Sequence, residues 1–114
     1  MVKETYVPDR GDIVWLSFDP VLGHEQAGRR PTLVFSPRKY NLKTNIAICC
    51  PVARSVKGYS FEVEILIGKE KNAVLVDQIR SLDWSKRKCE FLTRVSDNQL
   101  SEVQDKISEL IKGN

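Results

Sequence analysis

The chain has 114 residues, 41% of them hydrophobic and 29% charged, with a formal net charge of +3. That length fits a single domain, residues 1–114, with one core of its own. The excess of positive charge is mild, so it permits nucleic-acid binding without demonstrating it. No run approaches the ~20 apolar residues of a transmembrane helix. Residues 1–5 lack the apolar stretch of a signal peptide, and we expect no membrane association and a cytoplasmic location.

Turn formers recur at short intervals: Pro8–Asp9–Arg10–Gly11, Asp19–Pro20, Gly28, Ser36–Pro37, Asn45, Lys57–Gly58, Gly68 and Asn72. Between them the sequence predicts strands over 13–18, 32–36, 46–50, 61–67, 74–79 and 91–95, the spacing of a small barrel or sandwich. The first strand is apolar on both faces, which predicts a central, buried position. A helical turn is expected over 38–42. Toward the C-terminus the period changes: Leu100, Val103, Ile107, Leu110 and Ile111 follow helical spacing. Ser96 and Gln99 form a capping-box pattern ahead of this helix, and Gly113 stands where its C-cap belongs. The fold class is mainly β with a C-terminal helix laid across a barrel.

Three cysteines, Cys49, Cys50 and Cys89, accompany a single histidine, His24. Adjacent strand residues point to opposite faces, so Cys49 and Cys50 do not share a site. With no C-x-x-C pattern, a metal site is not expected, and the cysteines are read as reduced packing residues. The loop 19–31 is long for a connection between two strands, and long loops are often functional. It carries His24, Glu25, Arg29 and Arg30 between Gly23 and Pro31. Composition alone favours a solvated, mobile loop whose charges keep it soluble.

Ordered motifs then narrow the reading. Tyr6-Val7-Pro8-Asp9-x-Gly11-Asp12-x-Val14-Trp15, Phe18-Asp19-Pro20 and Gly23-x-Glu25-Gln26-Ala27-Gly28-x-Arg30-Pro31 resemble the PemK/Kid/MazF toxins of type II toxin–antitoxin systems. So do Ser36-Pro37-x-x-Tyr40-Asn41, Lys57-Gly58-Tyr59-x-Phe61-Glu62-Val63 and Asp77-Gln78-x-x-Ser81. The resemblance implies a small SH3-like barrel of the CcdB/PemK/MazF type and a homodimer. It also implies sequence-specific, metal-independent cleavage of single-stranded mRNA, with no cofactor, under control of a MazE-like antitoxin. The loop 24–30 is similar to that of ACA-cutting members.

The residues suit that chemistry. RNA supplies its own nucleophile, the 2′-hydroxyl, so the protein must provide proton transfer and a cation for the charge that builds on phosphate. By the resemblance, Glu25 is the candidate base and Arg30 the phosphate clamp, whose planar fork suits two oxyanion contacts. His24 is the alternative base, with an unperturbed pKa near ~6.5. Each also has a plain role, Glu25 as a surface charge and Arg30 as a partner for a carboxylate. Candidate RNA contacts are Arg29, Arg54, Ser55, Lys57, Asp77 and Gln78. Trp15 and Trp84 are either core residues or base-stacking platforms, with the core or dimer interface favoured for Trp15.

Two departures from the family pattern stand out. Ala53 occupies a position where many members carry a hydroxyl, and Arg54 adds a charge beside it. Leu75 stands where Kid-like members carry an arginine, which leaves Asp77 without that partner. Both departures favour a MazF-like Glu25–Arg30 site. Two other functions fit a barrel of this kind, a CcdB-like gyrase poison and a non-catalytic RNA-binding domain. The ending Leu110-Ile111-Lys112-Gly113-Asn114 lacks the Trp-Gly-Ile terminus linked to gyrase poisoning.

Overall fold

A computed structural model describes residues 5–18 and 28–113. Seven strands make one strongly curled antiparallel sheet: β1 (Asp12–Ser17), β2 (Arg29–Val34), β3 (Ile46–Ala53), β4 (Glu62–Ile67), β5 (Glu70–Leu75), β6 (Arg80–Asp83) and β7 (Glu90–Arg94). Among the described residues two helices accompany the sheet, α1 (Arg38–Thr44) and α2 (Asp97–Lys112). The strand order is β4-β5-β3-β2-β1-β7, with β6 also paired to β3. The result is a curled half-barrel, mainly β with a C-terminal helix, in keeping with the barrel that the resemblance implies.

Strand β3 organises the curl. Residues Ile46 to Cys49 pair with β6, while Val52 and Ala53 pair with β5. On its other edge Cys49 to Pro51 pair with β2. The 3₁₀ turn Val76–Gln78 carries the chain from β5 to β6. The expected strand over 74–79 therefore splits here: its first residues end β5 and the rest form the turn. Strand β5 also begins earlier than its apolar residues indicate, because Glu70 and Asn72 pair with Ile67 and Ile65 across a tight hairpin. Backbone pairing to a neighbour outweighs a polar side chain at such a position.

Strand β1 lies between β2 and β7, as its two apolar faces predict. One face, with Ile13, Leu33, Cys50 and Val52, packs with Val103 and Ile107 of α2. The other, with Val14, Leu16, Val34, Ala47 and Cys49, packs with Val7, Leu82 and Trp84. Cys49 and Cys50 thus fall into separate clusters, following the two-residue period of the strand. Helix α2 is closed by the expected capping box of Ser96 and Gln99 and by Gly113 in a left-handed conformation.

The motifs of residues 6–12 and 36–41 form scaffold. Asn41, fully buried, donates through Nδ2 to the Pro8 carbonyl at 2.8 Å and the Ser36 carbonyl at 3.0 Å. Its own carbonyl accepts from Trp84 Nε1 at 3.0 Å. Ser36 Oγ accepts from the Ile48 N–H at 2.8 Å. Buried polar groups are costly unless paired, so these bonds lock α1 against the sheet.

Candidate nucleic-acid interface

An open cleft of about 490 Å³ lies at the end of the β1–β2–β3 sheet. Among the described residues it is lined by Trp15, Arg29, Arg30, Pro31, Val52, Ala53 and Arg54. The register explains the grouping. Trp15 pairs with Pro31 on one side and with Glu90 on the other. Arg29 lies two residues from Pro31, opposite Ser17. Paired residues and i, i+2 neighbours share a face, so Trp15, Pro31, Arg29 and Glu90 project from the same side. It is the side that carries Ile13 and Leu33 in the α2-facing cluster. Arg30, paired with Leu16, leaves β2 on the opposite face, and it too contributes to the cleft wall.

Arg29 is held from two directions. Its Nη2 donates to Glu90 Oε2 at 2.7 Å and to the Lys88 carbonyl at 3.0 Å. Lys88 adopts a left-handed conformation with φ of 53° just before β7. The preceding residue is tied to β1: Arg87 Nη1 donates to the Ser17 carbonyl at 3.1 Å, and the Arg87 carbonyl accepts from the Ser17 N–H at 2.7 Å.

Of the expected site residues, Arg29, Arg30 and Arg54 come together in this cleft. Glu25 and His24 lie outside the described residues. Ser55 and Lys57 are exposed on the loop after β3. That loop is anchored by buried Glu62, whose Oε1 accepts from the Lys57 and Gly58 N–H groups at 3.0 and 2.9 Å. Asp77 and Gln78 are exposed on the 3₁₀ turn and do not line the cleft. The family departure at Ala53 and Arg54 falls on the cleft wall, where a small apolar side chain stands next to a guanidinium.

The two tryptophans separate. Trp84 is buried and hydrogen-bonded to α1, which makes it a core residue. Trp15 is half-buried and lines the cleft, a correction to its expected place in the barrel core. It pairs with Glu90 in a row that sequence spacing does not reveal.

Burial pushes the Cys49 and Cys50 thiols up to about 12, and it does the same for Cys89, with nearby Asp12 adding to the effect. Three neutral thiols near pH 7 are not nucleophiles. Among the described residues, no three of His, Cys, Asp or Glu gather as metal ligands. Nor is any helix there long and apolar enough to cross a membrane.

A curled β half-barrel capped by a C-terminal helix, with a guanidinium-lined cleft beside a half-buried indole, defines a class of small basic β-domains. Residues 9–111 match the family described as "PemK-like, MazF-like toxin of type II toxin-antitoxin system". The chain is 45% identical to the endoribonuclease toxin MazF of Escherichia coli K12 over 107 residues, covering 93% of this chain and 96% of that one. It is 30% identical to the endoribonuclease PemK of Escherichia coli, covering 97% and 87%. Among solved structures it is similar to MazF from Deinococcus radiodurans, with 46% identity, a TM-score of 0.84 and coverage of 95% and 99%. A MazE–MazF complex from the same organism matches with a TM-score of 0.86 and 46% identity, covering 96% and 100%. The chain belongs to the PemK/MazF family of type II toxins.

Proposed function

We propose that this MazF-like endoribonuclease toxin binds single-stranded RNA along the Trp15–Arg54 cleft and cuts it by metal-independent transesterification. The observation that carries the reading is the convergence of Arg29, Arg30 and Arg54 with an indole on one cleft in a chain of this family. Arginines bind phosphate oxygens in pairs, and an aromatic face accepts a base of any sequence.

In this reading the RNA 2′-hydroxyl attacks the adjacent phosphorus and gives its proton to Glu25, with His24 as the alternative base. Arg30 holds the non-bridging oxygens, where charge grows toward the transition state. The bond from phosphorus to the 5′-oxygen breaks, and that oxygen takes a proton. The products are a 2′,3′-cyclic phosphate and a 5′-hydroxyl, and no cofactor is consumed. Arg29 and Arg54 contact flanking phosphates. Ser55, Lys57, Asp77 and Gln78 extend the RNA surface beyond the cleft.

The chain works as a two-fold homodimer in the cytoplasm, where its mRNA substrates are. Exposed Leu66, Phe91, Leu110 and Ile111 supply apolar surface for subunit contact. A MazE-like antitoxin with an acidic segment occupies the cleft and blocks it, in keeping with charge complementarity.

The test is incubation of purified protein with a long RNA in EDTA, followed by mapping of both new ends. Defined cuts with cyclic-phosphate and 5′-hydroxyl ends, at ACA-containing sites, are expected. Activity lost in chelator and restored by Mg²⁺ would overturn the metal-independent mechanism. Binding without cutting would favour a non-catalytic RNA-binding domain.

A further inference from the structure

Arg29 stands at the cleft wall with its charge already engaged. The Arg29 and Glu90 side chains are 38% and 66% exposed, and the contact between them is 2.7 Å. An exposed pair of this kind is held weakly, because water competes for both partners. Both contacts of the guanidinium described above use the same nitrogen, Nη2. The carboxylate oxygen therefore sits where a phosphate oxygen would sit, with the same charge-assisted geometry. Trp15 is the Cα partner of Glu90 in the sheet, so a base stacked on this indole brings its phosphates to the same row. That aromatic neighbour favours RNA over an acidic peptide as the competing anion.

We propose that Glu90 is an internal counter-anion that holds Arg29 in reserve, and that an RNA phosphate takes its place on the guanidinium when substrate binds. The proposal rests on the cleft being the RNA site. Glu90 acts here as a positioning residue that lowers affinity. Arg29 is paired within the protein, and the Glu90 carboxylate freed by the exchange attracts a cation of its own, so the new phosphate contact adds little to the net release of counterions. Without the Glu90 charge, Arg29 becomes an additional free cation and joins the salt-dependent part of binding. The Lys88 carbonyl, presented by a left-handed backbone, keeps the side chain in place after that charge is gone.

The experiment measures binding of a fluorescein-labelled 2′-O-methyl RNA oligonucleotide of mixed sequence, which lacks the nucleophile, across a range of salt concentrations. Wild type, Glu90→Gln, Arg29→Ala, the double variant, Arg30→Ala and Arg54→Ala are compared. Glu90→Gln is expected to tighten binding roughly two- to fivefold at low salt, the scale of an exposed ion pair. The slope of log affinity against log salt should steepen by about 0.7, the value for one added single-strand phosphate contact. Arg29→Ala should cost more in the Glu90→Gln background than in wild type.

An unchanged or weaker affinity in Glu90→Gln, with Arg30→Ala and Arg54→Ala still weakening binding, overturns the proposal and leaves the RNA site standing. Equal tightening in the absence of Arg29 also overturns it, since the effect would then be general charge repulsion. If a glutamate-rich peptide responds to Glu90→Gln and the oligonucleotide does not, the reserved charge serves an acidic partner and the proposal fails. No salt-dependent binding by wild type, or binding indifferent to Arg30→Ala and Arg54→Ala, removes the RNA site itself and the proposal with it.

Discussion

Arg94 at the end of β7 donates from Nη1 to Asp12 Oδ1 at 2.7 Å, joining the last strand to the start of the first. The same carboxylate accepts from the Tyr6 hydroxyl and the Asp9 N–H through Oδ2. Asp12 is only 4% exposed, so these donors replace its water. Arg94 Nη2 also donates to the Arg10 carbonyl at 3.1 Å. Asp12→Ala leaves Tyr6, the Asp9 N–H and Arg94 without their acceptor and should lower stability by about 2–4 kcal/mol. Asp12→Asn keeps an acceptor for Tyr6 and should cost less. Urea denaturation of both variants measures the difference, and equal losses would show that only the charge matters.

Gly11 is coupled to the same pair. Its φ is +94°, and a Cβ placed there would meet Arg94 Nη2 at 3.0 Å. Gly11→Ala should cost about 1–3 kcal/mol, from backbone strain and displacement of Arg94 together. In an Arg94→Ala background the cost should fall to the strain alone. A cycle of the two substitutions, followed by thermal melting, tests this.

Arg30 should dominate the chemical step. Removing one preorganised donor to a developing anion typically lowers kcat by roughly 10²–10³. Arg30→Ala is expected to lose that much in single-turnover cleavage, and Arg30→Lys to recover only part of it. Glu25→Gln keeps shape but loses basicity, and should lose about 10²–10⁴. A near wild-type rate for Glu25→Gln beside an inactive His24→Ala would move the base role to His24. Full activity in Arg30→Ala would remove the proposed site.

The tryptophans should report separately in fluorescence. Trp15 faces the cleft, and Trp84 is buried against Asn41. RNA binding should quench Trp15 emission, leaving a signal that survives Trp84→Phe and vanishes in Trp15→Phe. Trp84→Phe should also lower stability by about 1 kcal/mol through the lost Nε1 bond. Quenching that persists in Trp15→Phe would place the RNA elsewhere.

The thiols give a pH prediction. Folding raises each of Cys49, Cys50 and Cys89 from 9.0 to about 12. Below the unfolded value both states hold the proton, and the neutral, buried thiol carries its full stabilisation. As pH rises above about 9 toward 12 the unfolded chain loses its protons first, so stability falls across that window. Urea midpoints should decline from pH 9 upward. A disulfide reagent at pH 8 should label the native protein slowly and denatured protein at all three positions. Rapid labelling of native protein would contradict the burial.

Much of the fold is legible in the sequence because local periods encode it. The helical spacing from Leu100 to Ile111, with Ser96, Gln99 and Gly113 at its ends, specifies α2 without reference to the rest of the chain. The apolar faces of β1 place it in the middle of the sheet, and the period of two sends Cys49 and Cys50 into different clusters. The ordered motifs identify the family, and they include Arg30, which lines the cleft.

What the sequence leaves open depends on pairing between distant segments. Strand β6 offers one buried residue, Leu82, and exists because the edge of β3 is there to receive it. Asn41 reads as a polar residue in a short helix, yet it is fully buried because Pro8, Ser36 and Trp84 converge on it. Trp15 has the composition of a core residue, and only the curl of the sheet leaves it beside Arg54 in a cleft. Arg29 and Glu90 are 61 residues apart in the chain. Their 2.7 Å contact follows from the registers that β1 keeps with β2 and β7 together, and a pairing register is a property of the assembled sheet, which no single segment carries.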